Sequence, residues 1–189
     1  MVSEMVSEMM SEKVSKAVNS ELVIPTLNPI FAQRNSFRSM TKYPQIWDLL
    51  DSVCDPELPG LTLWDLGVLQ DIQVDEKQLL VIITPTYSGC PAVDMMSQDV
   101  ISALSAANYD DVRVKVTLAP AWCTDMISPA GKRQLAKLHI APPNKDDDPD
   151  CPVCHSKNTQ LLSQFGSTAC KALHQCQDCL ETFDYFKTL

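Results

Sequence analysis

Four cysteines close this chain in two pairs. Cys151-Pro-Val-Cys154 and Cys176-Gln-Asp-Cys179 each set two thiols two residues apart. A pair so spaced can turn back on one metal ion, and two such pairs complete a tetrahedral four-sulfur site. Cys151, Cys154, Cys176 and Cys179 are therefore expected to hold structural zinc. Rubredoxin-like iron is the competing metal, because four thiolates suit both. Disulfides are disfavoured, since nothing marks the chain as secreted. A filled four-thiolate site has no open coordination position, so it explains folding and not catalysis. Residues 151–189 are too few to build a stable core unaided and need such a staple.

The other thiols sit differently. Cys90 lies in Ser88-Gly89-Cys90-Pro91, just before a predicted helix. The positive end of a helix dipole favours a thiolate, so Cys90 reads as a metal or cluster ligand or as a reactive nucleophile. A small buried apolar side chain is the plain alternative. A nucleophile would need a base, and the three histidines do not supply one. His155 and His174 fall in the metal domain, and His139 ends a helix. The chain has five glycines and no phosphate-cradling loop. No Glu-x-x-His pair on a helix offers a di-iron carboxylate site. Cys54 and Cys123 are expected to pack, although Cys123 facing Cys90 could share a soft metal with it. Cys170 is expected in the core or at an interface, because four cysteines already satisfy the metal. His155 and His174 are expected beside the ligand pairs as outer or surface groups. Phe183, Tyr185 and Phe186 are expected to cover the metal knuckles.

Positioning these groups requires a folded middle domain. Pro44 suits a first helical turn, and Ile46, Leu49, Leu50 and Val53 follow a helical stripe that stops before Pro56. Residues 68–74 and 79–84 read as a hairpin around Asp75-Glu76-Lys77-Gln78. The second arm is apolar on both faces and should be a central strand. Val93, Met96, Val100, Leu104 and Ala107 mark an amphipathic helix. Val112, Val114, Val116 and Leu118 alternate with polar residues as a half-buried strand. Ser128-Pro129 opens a last helix carrying Leu135 and Leu138. The result is an α+β sandwich on a sheet of about three strands, followed by the four-cysteine domain. Loops between these elements carry Asp55, Glu57, Asp65, Thr84, Tyr87, Ser88, Trp122 and Asp125. Residues 1–40 read as a low-complexity leader, 41–141 as the sandwich, 142–150 as an acidic, proline-rich linker and 151–189 as the metal domain.

Charge narrows the partners. The net charge is −9, and residues 41–141 carry seven basic against thirteen acidic side chains. A nucleic-acid-binding ribbon needs a basic face; residues 151–189 are balanced at three against three, so no nucleic acid is expected. An acidic surface fits a protein partner with a basic patch, or serves solubility alone. No stretch approaches a membrane span, and the first residues lack a signal peptide. A cytoplasmic protein is expected.

Asp55-Pro56-Glu57, Asp65-Leu66-Gly67 and Thr84-Pro85-Thr86-Tyr87-Ser88-Gly89-Cys90-Pro91 together resemble the small iron–sulfur assembly domain of SufT-like maturation proteins, the MIP18 family. Ala119-Pro120-Ala121-Trp122-Cys123-Thr124-Asp125, Ile127-Ser128-Pro129 and Ile140-Ala141-Pro142-Pro143 narrow the likeness. So do Cys151-Pro-Val-Cys154-His-Ser and Phe165-Gly-Ser-Thr-Ala-Cys170-Lys-Ala. Between Tyr43 and Phe186 the chain resembles the small D (or J) subunit family of phenylacetyl-CoA oxygenase, also called 1,2-phenylacetyl-CoA epoxidase. The resemblance implies a MIP18-like sandwich plus zinc ribbon. It also implies a non-catalytic accessory component of bacterial aerobic phenylacetate degradation that assists maturation of metal centres. Its implied partners are the other oxygenase subunits, especially the iron–sulfur reductase or the oxygenase component. Cys90 matches the family's cysteine, and a transient iron–sulfur cluster or iron there is implied. Asp55, Glu57 and Asp65 match acidic loop positions that shape the site or a partner surface, and Trp122 and Asp125 lie in the matching loop. Cys123 stands where threonine is expected in that loop. A second function remains open: a stoichiometric electron carrier with iron in the four-cysteine site.

Overall fold

The structure is a computed structural model, and it describes residues 42–75, 78–144 and 148–187. The expected leader, the tip of the expected hairpin and part of the expected linker lie outside the described residues.

Helix α1 (Pro44–Leu50) opens on its proline and buries Ile46, Trp47 and Leu50. It is shorter than its apolar stripe. Val53 is buried as expected, but the backbone there has left the helix. The Leu63 N–H donates to the Val53 carbonyl at 2.9 Å, and Cys54 forms a bridge with Thr62. Sheet-like partners for these peptide groups compete with one more helical turn. Trp47 and Trp64 meet edge to face, their ring centroids 4.8 Å apart, which fixes α1 on the loop that follows.

Strands β1 (Leu69–Asp75) and β2 (Gln78–Ile83) form the expected antiparallel hairpin. Helix α2 (Val93–Ser105) buries Met96, Val100 and Leu104; Ala107 lies past its end. It crosses over to β3 (Val112–Val116), which runs parallel to β2, as a parallel pair requires. The order β1-β2-β3 makes β2 central. Leu79, Val81 and Ile83 point into the core, while Gln78, Leu80 and Ile82 are half-buried. The expected half-buried β3 is realised only in Val112 and Val114. Val116 and Leu118 are 44% and 54% exposed: β3 is an edge strand, and nothing lies over that end of it.

Helix α3 (Pro129–Lys137) begins as expected on Ser128, whose hydroxyl accepts from the Gly131 N–H at 2.9 Å. The same hydroxyl donates to Asp65 Oδ1 at 2.6 Å, and Thr62 Oγ1 donates to Asp65 Oδ2 at 3.1 Å. Asp65 thus ties the loop before β1 to the cap of α3. Just beyond it, Gly67 has φ +74, and a β-carbon there would run into the backbone of Met126. A side chain at this turn is excluded twice, by conformation and by space. Ser128→Ala removes both the cap and the donor to a buried carboxylate. A loss of about 1–2 kcal/mol is expected, readable as a lowered urea midpoint at unchanged slope.

The chain then crosses into a second sheet. Strand β4 (Ile140–Ala141) pairs in parallel with β7 (Thr182–Phe186); β6 (Lys171–Cys176) and β5 (Thr159–Ser163) complete the order β4-β7-β6-β5. Residues expected to close the first domain therefore lend an edge strand to the second. Within the expected linker, Pro143 and Pro149 are buried. Among the described residues, no helix is long and apolar enough to cross a membrane.

Candidate metal centre and the thiols at the domain junction

Each cysteine pair of the second domain sits on the same kind of turn. In the first, the His155 N–H donates to the Cys151 carbonyl at 2.9 Å, and His155 takes φ +60. In the second, Leu180 follows Cys179 with φ +64. A left-handed residue directly after the second cysteine lets each turn fold its two sulfurs to one side. Asp178 locks the turns together: Asn158 Nδ2 donates to its Oδ1 at 2.8 Å and Ser156 Oγ to its Oδ2. Those hydrogen bonds hold the Asp178 carboxyl below the ordinary range.

The four sulfurs converge. All ligand atoms lie within 4.8 Å of one another, with Cys151 Sγ to Cys179 Sγ at 3.7 Å and Cys154 Sγ to Cys176 Sγ at 3.5 Å. Zn–S bonds of about 2.3 Å at tetrahedral angles demand sulfurs roughly 3.8 Å apart. The donor set therefore fits a tetrahedral thiophilic ion. The Cys179 N–H donates to Cys176 Sγ at 3.5 Å, a contact that favours the thiolate, the ligand form. Cys151 and Cys176 are buried with Ala141, Ala172, Phe183 and Tyr185. His174 stacks on Phe183 at 5.9 Å and meets Tyr185 edge-on at 5.4 Å. His174 is thus a buried packing group behind the sulfurs, while His155 is exposed.

Phe186 departs from the expected covering role. Strand alternation puts it on the opposite face from Phe183 and Tyr185. It is fully buried in the core of the first domain, its ring 5.8 Å from that of Trp122. Trp122 Nε1 donates to the Leu66 carbonyl at 3.0 Å. One aromatic from each domain therefore seals the junction, and Trp122 positions the domains. Cys123 is half-buried against the core and precedes a 3-10 turn, Thr124–Met126, on which Asp125 is exposed.

Cys90 lies at this junction. Its N–H donates to the Tyr87 carbonyl at 3.3 Å, and its own carbonyl accepts from Val93 N–H at 3.5 Å as α2 begins. At the base of the same loop, the Thr84 hydroxyl is buried without a hydrogen-bond partner. Asp55 is buried; its Oδ1 accepts from the Glu57 N–H at 2.8 Å, closing the Asp55-Pro56-Glu57 turn. Burial raises the Asp55 carboxyl, and the nearby Lys171 ammonium opposes that rise. The expectation that the helix dipole would lower the Cys90 thiol is reversed. Burial pushes it up, the Ala92 N–H opposes that, and negative charge on Asp55, Glu57 and Cys170 pushes it up further. A thiol kept protonated chiefly by burial is a poor nucleophile.

The thiol whose charge bears on Cys90 is Cys170, the fifth cysteine of the second domain. Cys170 is buried in the same core as Trp122 and Phe186, where Thr168 Oγ1 lies 3.0 Å from its sulfur. Beside it, buried Lys171 reaches Asp184 Oδ2 at 3.7 Å. The sequence places Cys170 in the core or at an interface and does not say which. The available signal was Phe186, one residue out of phase with Phe183 and Tyr185.

A four-stranded ribbon drawn around four sulfurs, docked on an α+β domain with one loop thiol at the seam, defines a two-domain protein: an α+β sandwich carrying a four-cysteine metal ribbon. Residues 44–116 match the family described as iron–sulfur cluster assembly protein, and residues 139–187 match the PaaD zinc beta ribbon domain. The chain is 40% identical over 152 residues to the putative D subunit of 1,2-phenylacetyl-CoA epoxidase from Escherichia coli (strain K12), a match that covers 77% of this chain and 92% of that protein. It belongs to the family of that D subunit. Two solved structures are also similar. A domain of unknown function from Bacillus anthracis has 30% identity and a TM-score of 0.45, covering 48% of this chain and 88% of the other. A Mycobacterium tuberculosis protein, described as associated with Fe–S complex assembly and repair, has 26% identity and a TM-score of 0.31, covering 64% and 97%.

Proposed function

We propose that this protein is a non-catalytic accessory subunit of a phenylacetyl-CoA epoxidase system. In this reading it assists iron loading or iron–sulfur maturation of the oxygenase or its reductase. The ribbon holds zinc as a resident structural ion, and Cys90 takes iron or a cluster as cargo. The observation that carries the reading is the division between two kinds of thiol. Four sulfurs 3.5 to 3.7 Å apart across the pairs form a closed cage with no place for exchange. Cys90 is half-buried on an exposed Ser88-Gly89 loop, with Asp55 and Glu57 near enough to act on it. Membership in the D-subunit family and the match to iron–sulfur assembly proteins support the same reading. Asp55 shapes the site. Asp65 acts at a distance from it, by fixing the loop and the α3 cap. Glu57 and Asp125 are exposed and belong to the partner surface, and the working compartment is the cytoplasm.

Cys90→Ala is expected to leave the melt and the zinc content unchanged and to lower the iron content and activity of the partner oxygenase purified from cells. Full iron loading of the oxygenase and reductase in cells lacking Cys90 would sink the reading. The electron-carrier alternative needs iron in the ribbon. Metal analysis and a visible spectrum of anaerobically purified protein decide it, since a colourless zinc-only preparation carries no electrons.

A further inference from the structure

One face of the first sheet carries the core: Leu79, Val81 and Ile83 of β2 are buried there in one cluster with the apolar sides of α1 and α2. The opposite face is laid out by register. Asp71 stands beside Ile82 and Ile82 beside Lys115; Gln73 stands beside Leu80 and Leu80 beside Arg113. Residues paired in this way point to the same side of a sheet. β1 thus supplies an acidic and amide column, β3 a basic column, and β2 two apolar residues between them. Asp71, Gln73, Arg113 and Lys115 are exposed, and Leu80 and Ile82 are half-buried. Neither Leu80 nor Ile82 enters a buried cluster. Gln73 Nε2 donates to Asp71 Oδ2 at 3.0 Å, as side chains on one face can. A solvated face is ordinarily polar throughout; here the middle strand is apolar on both sides.

This face is self-complementary about one axis. A second copy, given a half-turn about a line parallel to β2, can be laid face to face on the first. Its β1 then lies over this copy's β3, and its β2 over β2. Position along the strands is kept, so each row meets the same row. Asp71 of each copy meets Lys115 of the other, Gln73 meets Arg113, and Leu80 and Ile82 meet their counterparts. A half-turn about a line across the strands brings β1 onto β1, and like charge onto like. A wholly basic or wholly acidic partner satisfies one column and opposes the other. At the end of the face, Asp111 is held within its own copy, by Gln78 Nε2 at 3.2 Å and Arg113 Nε at 3.9 Å. We propose that this face joins two copies of the chain in an isologous dimer with the sheets stacked. Three strands about 4.8 Å apart make a face smaller than the roughly 800 Å² per partner of a standard interface. The dimer is therefore weak and reversible, and salt loosens it. It is independent of the maturation reading above.

The test is sedimentation of the full, zinc-loaded chain over rising concentration at low and high salt. The wild type is expected to pass from monomer to dimer, less readily at high salt. Asp71→Lys and Lys115→Asp should each weaken association by about tenfold or more, because each sets like charges together twice about the axis. Both positions are exposed, so melt and zinc content should match the wild type. Mixed in equal amounts, the two variants should recover the dimer, since the mixed pair opposes unlike charges at both contacts. Ile82→Gln should weaken association at every salt concentration. A wild type that stays monomeric overturns the proposal, whether the face is then bare or covered by residues 1–41 or by another protein. So does a dimer that both charge reversals leave intact, and so do variants that fail to associate when mixed.

Discussion

Cys151→Ser is expected to cost the ribbon its metal and its fold together. The buried cluster of this domain comprises Ala141, Cys151, Ala172, Cys176, Phe183 and Tyr185, so two of its six members are themselves ligands. Such a core cannot offset the chain entropy of its four strands. Structural zinc supplies apparent binding free energies of about 10–16 kcal/mol in comparable small sites. Serine at position 151 leaves three thiolates and a hydroxyl of much lower affinity in a buried place. Zinc per chain should fall to near zero. β5, β6 and β7 should lose their protection from amide exchange, while β1, β2 and β3 keep theirs. A variant that retains stoichiometric zinc and one cooperative transition would show that the aromatic packing carries the ribbon.

Trp122→Ala is the second large effect. This side chain is buried, donates to the Leu66 carbonyl at 3.0 Å and packs on Phe186. Truncating a buried tryptophan costs about 3–5 kcal/mol, and here the loss falls on the contact between domains. The ribbon keeps its four sulfurs, so its zinc should remain. What should change is coupling: one melting transition becomes two, and the thiols of Cys90 and Cys170 become more reactive toward alkylating agents. A single transition shifted by less than about 1 kcal/mol would show that the β4–β7 pairing alone joins the domains.

Legibility followed the range of the interaction. The hairpin, α2 and the α3 cap were readable because each is specified by residues a few positions apart. Helix α1 was overestimated because its stripe continues through Val53, and only the Val53–Leu63 hydrogen bond, ten residues away, shows why the backbone leaves the helix. β3 was extended too far for a related reason: alternation at Val116 and Leu118 says which face a residue takes, not whether anything lies above that face. At the candidate site the acidic loop positions divided. Asp55 closes its own Asp55-Pro56-Glu57 turn, and its charge reaches Cys90, whereas Asp65 is bound into the α3 cap. Both are aspartates before a turn, and their neighbours come from segments far along the chain.

By itself the sequence determined the four-sulfur cage, because two residues between paired thiols is a local geometric condition that each turn satisfies alone. It also determined the α+β class, through local periodicity. Tertiary structure alone decided that Cys170 is buried in the first domain's core rather than placed at the ribbon's metal, and that Phe186, 64 positions from Trp122, packs against it. Both placements are long-range. They arise because β4 pairs with β7 and carries one domain onto the other, a long-range contact that no local pattern encodes.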